Sequence, residues 1–396
     1  MLLVSWEFPP LVVGGLGRHV GALAGELAAQ GHDVRVLTRG SQRTATEATV
    51  GEHSNLRVTR AAVDGFDIDF TAESILAWTQ AFEHSLIRAG LRLISDWQPD
   101  VIHAHDWLVA QTAHTLHQVS EAPVIATMHA TEHGRQQGWL ADPVQRSIHS
   151  VERWLAQSAA AIIVCSQFMA DEVAALFQLS PGRITVIGNG IDPAAWTVEQ
   201  DAKEPGAWPL LVFAGRLVHE KGLQELIKAL PQLREDYPRL RLIVAGTGQL
   251  LADQQDRAAR YGGADLIDWR GFVHDADLAR LFAAAEVVVV PSLYEPFGLV
   301  ALEAQLAGAP VAVSDTGGLA ELVEPGVTGA RFTPQNPAAI AEAVRGLLED
   351  PTGTRAMADR ARHRAKAEFG WNSIAARTAR LYRQVLDDAE RTASGS

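Results

Sequence analysis

The stretch Val287-Val288-Val289-Val290-Pro291-Ser292-Leu293-Tyr294-Glu295-Pro296-Phe297-Gly298-Leu299-Val300-Ala301-Leu302-Glu303-Ala304 contains a strand, a turn and the start of a helix. Four consecutive valines read as a buried strand. Pro291 has no N–H for a ladder, so the backbone leaves the sheet there. Tyr294 to Gly298 form a turn, and from Leu299 onward Leu299, Leu302 and Leu306 share one helical face. One carboxylate, Glu295, stands on the loop, and a second, Glu303, is placed two turns into the helix. Between them the N–H groups of Phe297, Gly298 and Leu299 crown a helix start, where unpaired donors and the helix dipole favour an anion. Acid, phosphate cradle and acid suit a sugar nucleotide, with sugar hydroxyls at one end and ribose hydroxyls at the other. Two isolated glutamates would read as solvated side chains on an ordinary strand–loop–helix; the whole string does not.

The same alternation runs through the rest of the chain. Leu2-Leu3-Val4-Ser5-Trp6 reads as a strand, followed by the loop Gly14-Gly15-Leu16-Gly17 and a helix with Val20, Leu23, Ala24 and Leu27 at helical spacing. Val34-Arg35-Val36-Leu37 completes a βαβ unit. Further apolar strands are expected at 101–103, 124–127, 161–164 and 184–187, with helices over 78–94 and 145–156. Pro193 to Pro209, rich in proline and charge, is the expected linker. A second series follows: strands at 210–214, 240–245, 266–269, 287–290 and 310–313, and a helix over 223–233. Near-continuous apolar strands alternating with helices mean α/β architecture with parallel sheets covered on both faces. The expected domains are 1–195 and 196–370, two Rossmann-like halves, with a ligand cleft outside the carboxyl ends of their strands. A last helix, 371–390, is expected to pack back on the first half.

Bulk properties narrow the function. At 396 residues two domains are the default, and no apolar run approaches the ~20 residues of a membrane span. Glu7 and Pro9-Pro10 follow the first apolar residues at once, which does not read as a signal peptide. The single cysteine, Cys165, excludes intrachain disulfides and suits a buried thiol in a cytoplasmic protein. A net charge of −13 argues against nucleic acid and anionic bilayers as partners. Met1 to Trp196 alone holds 20 Asp and Glu against 12 Arg and no Lys, a balance of −8, which favours a soluble, roughly neutral acceptor.

Several strand ends carry candidate chemistry. In Gly215-Arg216-Leu217-Val218-His219-Glu220-Lys221-Gly222, Arg216 and Lys221 can both point at phosphate and neutralise a leaving diphosphate. The chain has 30 arginines and only four lysines, so a lysine in a Gly-bounded loop suggests a need for a compact point charge; a solvated surface lysine is the plainer alternative. His103-Ala104-His105-Asp106-Trp107 ends a strand, with His103 and His105 on one face. A metal there needs ligands from later strand ends, which offer His129 and His133 but no acidic set, so no metal is expected. The preferred reading is a polar wall in which Asp106 meets sugar hydroxyls. His129, in Thr127-Met128-His129-Ala130-Thr131-Glu132, can hydrogen-bond a hexose hydroxyl or be an interior histidine satisfied by backbone. The glycine loop at 14–17 fails as a dinucleotide fingerprint: Val20 replaces the third glycine, and strand two ends in Thr38-Arg39 without an acid. Arg39 suits an NADP phosphate, which leaves an NADP-linked oxidoreductase as the reading outside the class.

In order, GGLGRH, HAHDW, TMHATE, NGID, GRLVHEKG, YEPFGLVALEA and TGGL resemble the retaining nucleotide-sugar glycosyltransferases of the glycogen synthase and sucrose synthase kind. The resemblance spans residues 1 to about 385 and is nearest to short actinobacterial glycogen-synthase-like α-1,4-glucosyltransferases. It implies the two-Rossmann GT-B fold, with the donor nucleotide on the second domain. Arg216 and Lys221 would hold the diphosphate, aided by Gly15 and the N–H groups near Phe297, Gly298 and Leu299. Glu295 would bind the donor sugar and Glu303 the ribose, with His129 and Asp106 lining the sugar. It further implies same-face attack with retention, no carboxylate nucleophile and no metal. The expected donor is ADP- or UDP-glucose. The expected acceptor is a neutral glucan stacked on Trp107, Trp139 or Trp154, with glucose 1-phosphate the alternative should an arginine cluster (Arg18, Arg135, Arg146, Arg153) capture phosphate.

Overall fold

Two parallel sheets organise the chain in a computed structural model that describes residues 1–41, 46–49, 54–62, 68–198 and 209–394. Each belongs to its own unit, Met1–Gly190 with Trp371–Ser396 and Ile191–Gly370. The first unit has eight strands: β1 (Leu2–Val4), β2 (Val34–Arg39), β3 (Glu47–Thr49), β4 (Leu56–Ala61), β5 (Ile102–His105), β6 (Val124–Met128), β7 (Ala161–Val164) and β8 (Ile184–Val186). Their order is β3-β4-β2-β1-β5-β6-β7-β8, and only β3 is antiparallel to its neighbour. Sequence periodicity missed β3, only three residues long, and β4, where Arg57 and Arg60 interrupt the apolar residues. The Gln167–Phe177 helix, N-capped by the Ser166 hydroxyl on Met169 N–H at 3.1 Å, follows β7 and buries Met169, Val173 and Phe177.

The C-terminal helix, Trp371–Ser394, belongs to the first unit. Ile374, Ala375, Leu381, Tyr382 and Val385 join the core formed by Val20, Leu23 and Leu27 of the Gly15–Ala29 helix and by Leu3, Val34 and Val36 of the sheet. Polar ties hold its start: Gln30 Nε2 donates to Asn372 O (3.1 Å) and Asn372 Nδ2 to Glu26 Oε1 (3.1 Å).

The second unit has six strands: β9 (Leu210–Ala214), β10 (Arg241–Ala245), β11 (Ile267–Gly271), β12 (Val287–Val290), β13 (Val311–Ser314) and β14 (Ala330–Phe332). Their order, β11-β10-β9-β12-β13-β14, is fully parallel and is the 3-2-1-4-5-6 order of a dinucleotide-type sheet. The four valines of β12 are all buried, and Leu226, Ile227, Leu230 and Leu233 of the Leu223–Asp236 helix pack beneath the sheet with Val344 and Leu347. Ile191 bridges to Gly370, and Trp196 stacks on Phe282 at 6.0 Å, so the chain enters this unit at its first residues. Most of the expected linker, 199–208, lies outside the described residues.

Candidate active site

In the second unit strand order reverses between β9 and β12, and loops leaving the carboxyl ends on either side of such a reversal frame a crevice. The β9 loop carries Arg216 and Lys221; the β12 loop carries Pro291 to Gly298. Close backbone approaches bind these loops together. Gly222 has φ +71, and a Cβ there would lie 1.8 Å from Pro291 O. Leu293 N–H donates to Glu220 O at 2.7 Å. The loop after β13 closes the other flank: Gly318 N–H donates to Glu295 O at 2.8 Å, and a Cβ on Gly317 (φ +52) would meet that oxygen at 2.1 Å.

This frame brings Lys221 and Glu295 into contact. Lys221 Nζ lies 2.7 Å from Glu295 Oε2, which also accepts from Ser292 Oγ at 3.2 Å. Sequence reading gave the two residues separate roles and missed the pair. Arg216 reaches outward, its side chain 68% exposed, with a loose ion pair to Glu220 at 3.3 Å. Phe297 is buried with its ring 5.7 Å from Phe369. Gly298 (φ +108) caps the Leu299–Leu306 helix, and no backbone carbonyl of the described residues accepts from Phe297, Gly298 or Leu299 N–H. Glu303 is half-buried and is the fifth residue of that helix, just past its first turn and not two turns in as expected.

In the first unit the reversal lies between β1 and β5. Glu7, just after β1, is buried and accepts from Val13 N–H and from Gly14 N–H (3.1 Å). The helix already starts at Gly15, so the glycines expected in a loop mostly form a first helical turn whose Gly15 N–H has no intrahelical partner. Arg39, the candidate NADP contact, instead lies over the Trp6 ring at 5.1 Å.

Asp106 follows β5 with positive φ in an extended backbone (φ 62, ψ 176), a conformation costly for a residue with a Cβ. It accepts His129 N–H at 2.8 Å, which joins the two expected sugar contacts. Burial pushes the Asp106 carboxyl up to about 6, against the pull of Arg135 and of that N–H. Beneath it Glu152 accepts Glu132 N–H on both oxygens (2.9 and 3.0 Å), while Arg135 pairs with Glu132 (3.2 Å) and Glu152 (3.4 Å). Burial raises Glu152 to about 8 despite Arg135.

The histidines sort differently from expectation. His103 is sealed in the core, with Nδ1 2.6 Å from Tyr382 OH and Nε2 2.6 Å from Thr127 Oγ1. His133 lies beside His149, ring centroids 6.3 Å apart. His19, from the Gly15–Ala29 helix, takes their place: His19, His105 and His129 each bring a ring nitrogen within 4.8 Å of the others. Neutral imidazoles so placed are potential metal ligands, although a tetrahedral zinc with bonds of ~2.0–2.1 Å wants its nitrogens roughly 3.4 Å apart. His105 Nδ1 and His129 Nε2 are 3.2 Å apart, at hydrogen-bonding distance. Desolvation lowers four of the rings, His129 to about 4, His103 to about 3, and His19 and His105 well below the ordinary value. Position alone could have suggested His19, which precedes Val20 on the buried helix face. Of the candidate stacking residues, Trp107 is buried, whereas Trp139 is 76% exposed and Trp154 37%.

Residues 196–366 match the family described as glycosyl transferases group 1, and residues 13–195 match glycosyltransferase family 4. A glycogen synthase of Mycobacterium tuberculosis is 42% identical over 96% of this chain and 94% of its own length. An alpha-maltose-1-phosphate synthase of Mycolicibacterium smegmatis is 28% identical over 97% of this chain and 98% of its own. Among solved structures, a sucrose-phosphate synthase from Thermosynechococcus elongatus superposes with a TM-score of 0.84 at 26% identity, covering 98% of this chain and 99% of that one.

Proposed function

The chain belongs to the group 1 glycosyl transferases and is a hexosyltransferase of the GT-B fold, and we propose that it moves glucose from ADP- or UDP-glucose to an α-glucan, forming α-1,4 links with retention. The observation that carries the reading is the second unit's reversal point, where Lys221, Glu295 and a helix start with uncommitted N–H groups converge. In this reading the N–H groups of Phe297, Gly298 and Leu299, with Arg216 and Lys221, stabilise the departing diphosphate, and the Gly15 helix start adds a further donor. Glu295 orients Lys221 and accepts from a hydroxyl of the donor sugar; Glu303 takes the ribose. His129 and Asp106 hold the transferred sugar. The acceptor hydroxyl attacks the face that the diphosphate leaves, and no carboxylate nucleophile or metal takes part. Membership of a transferase family displaces the NADP-linked oxidoreductase reading.

A neutral glucan acceptor is supported by the acidic balance of the first 196 residues and by the exposed rings of Trp139 and Trp154, whose faces suit the C–H surface of a pyranose. Arg135, a candidate phosphate trap, already pairs with Glu132 and Glu152. The relative that makes maltose 1-phosphate keeps glucose 1-phosphate in view as the second acceptor. The deciding assay offers ADP-glucose and UDP-glucose against glycogen, maltooligosaccharides and glucose 1-phosphate. Elongation of maltooligosaccharides by α-linked glucose is expected. A kinetic preference for glucose 1-phosphate with no elongation would overturn the glucan acceptor and leave the reaction class standing.

A further inference from the structure

From the histidine cluster of the first unit we infer that His105 sets the tautomer of His129, so that His129 offers an Nδ1–H donor to a sugar hydroxyl. The inference rests on the sugar-holding role proposed above and adds to it a positioning residue and a direction for the hydrogen bond. A neutral imidazole carries one N–H and one lone pair, so each ring in the cluster must assign its proton. Burial keeps both rings neutral. His105 is sealed from solvent, and its Nε2 has no hydrogen-bond partner among the described residues. A buried N–H left without an acceptor is rarer than an under-used lone pair, which puts the His105 proton on Nδ1. Nδ1 faces His129 Nε2 at 3.2 Å, and the ring planes lie 22° apart, which suits an N–H···N bond in the plane of both rings.

His129 Nε2 is therefore the acceptor, and its own proton sits on Nδ1. That nitrogen is not among the sealed unpartnered atoms, and His129 is half-buried, so the donor is open to a ligand. The backbone hydrogen bond from His129 to Asp106 holds the residue in place. The neighbouring rings reinforce the arrangement: His19 packs edge-on at 4.8 Å from His129, and the His103 ring lies 4.1 Å from His105 with both nitrogens committed elsewhere. A chemical consequence follows. An Nδ1–H can hold a hydroxyl oxygen but cannot take a proton, so His129 orients the sugar and is not the base that deprotonates the acceptor.

The test is long-range nitrogen–proton NMR on the full chain with labelled histidine, the His129 signals identified by their loss in His129→Gln. The Nδ1–H pattern is expected in the wild type. His105→Phe keeps a ring but removes the donor, and should shift His129 to Nε2–H and lower kcat by about tenfold or more. His105→Asn, whose amide N–H can stand near the former Nδ1, should restore the Nδ1–H pattern and part of kcat. Wild-type His129 in the Nε2–H form, or a folded His105→Phe that keeps Nδ1–H on His129, would overturn the inference. If the wild type transfers glucose from neither donor, the proposed function fails, while the NMR result still decides the role of His105.

Discussion

Removing the ammonium of Lys221 should separate a stability effect from a catalytic one. The pair with Glu295 is short, 2.7 Å, and its side chains are only 21% and 11% exposed. At an effective dielectric of 20 the attraction is roughly 6 kcal/mol, much of it offset by desolvation of both ions. Lys221→Ala leaves the Glu295 carboxylate with Ser292 Oγ as its side-chain donor. The unmet desolvation should cost about 2–3 kcal/mol, which in a unit of this size lowers Tm by about 5–10 °C. Adding Glu295→Gln removes the stranded charge and should recover most of that loss. Turnover should behave differently. If Lys221 stabilises the leaving diphosphate, activity falls on the order of a hundredfold in Lys221→Ala, and the double variant does not regain it. Thermal melts and initial rates on both variants measure the two effects. A double variant no more stable than the single one would refute the pairing energetics, and near-normal turnover in a folded Lys221→Ala would refute the phosphate role.

Two further outcomes follow from the first unit. Glu152 holds its proton in the fold up to about pH 8, whereas in the unfolded chain it ionises near 4.5. Its contribution is therefore present at low pH and lost as pH rises toward 8: against Glu152→Gln, wild-type stability should decline between pH 5 and 8, by at most about 1.4 kcal/mol per unit. Parallel urea-denaturation curves for the two proteins across that range would contradict it. Glucosyl transfer should also survive excess EDTA; loss restored by a single divalent ion would make His19, His105 and His129 a metal site.

The pattern of strands and helices was legible wherever apolar residues run together, as in the four valines of β12, and Pro291 and Gly298 marked the turn between strand and helix. The strands that escaped were short or charged: β3 and β14 are three residues long and β4 carries Arg57 and Arg60. Candidate residues at strand ends, such as Asp106 and His129, could be placed at one edge because a parallel sheet sends every carboxyl end there. What one-dimensional spacing cannot carry is contact between loops. Lys221 meets Glu295 across 74 positions because Gly222 and Gly317 let backbones touch, and His19 joins His105 through packing of a helix on the sheet. Burial, not composition, removed Trp107 and His103 from the surface chemistry.

The return of Trp371–Ser394 to the first unit has a consequence for synthesis. The second unit is one unbroken stretch, Ile191–Gly370, and can fold as soon as it leaves the ribosome. The first unit, although begun earlier, waits for the Trp371–Ser394 helix before Ile374, Leu381 and Tyr382 close its core and His103 acquires its phenolic partner. Until the Trp371–Ser394 helix has been made, the nascent chain therefore carries an apolar seam on the Gly15–Ala29 helix, so the part translated first completes its core only after the second unit has been synthesised.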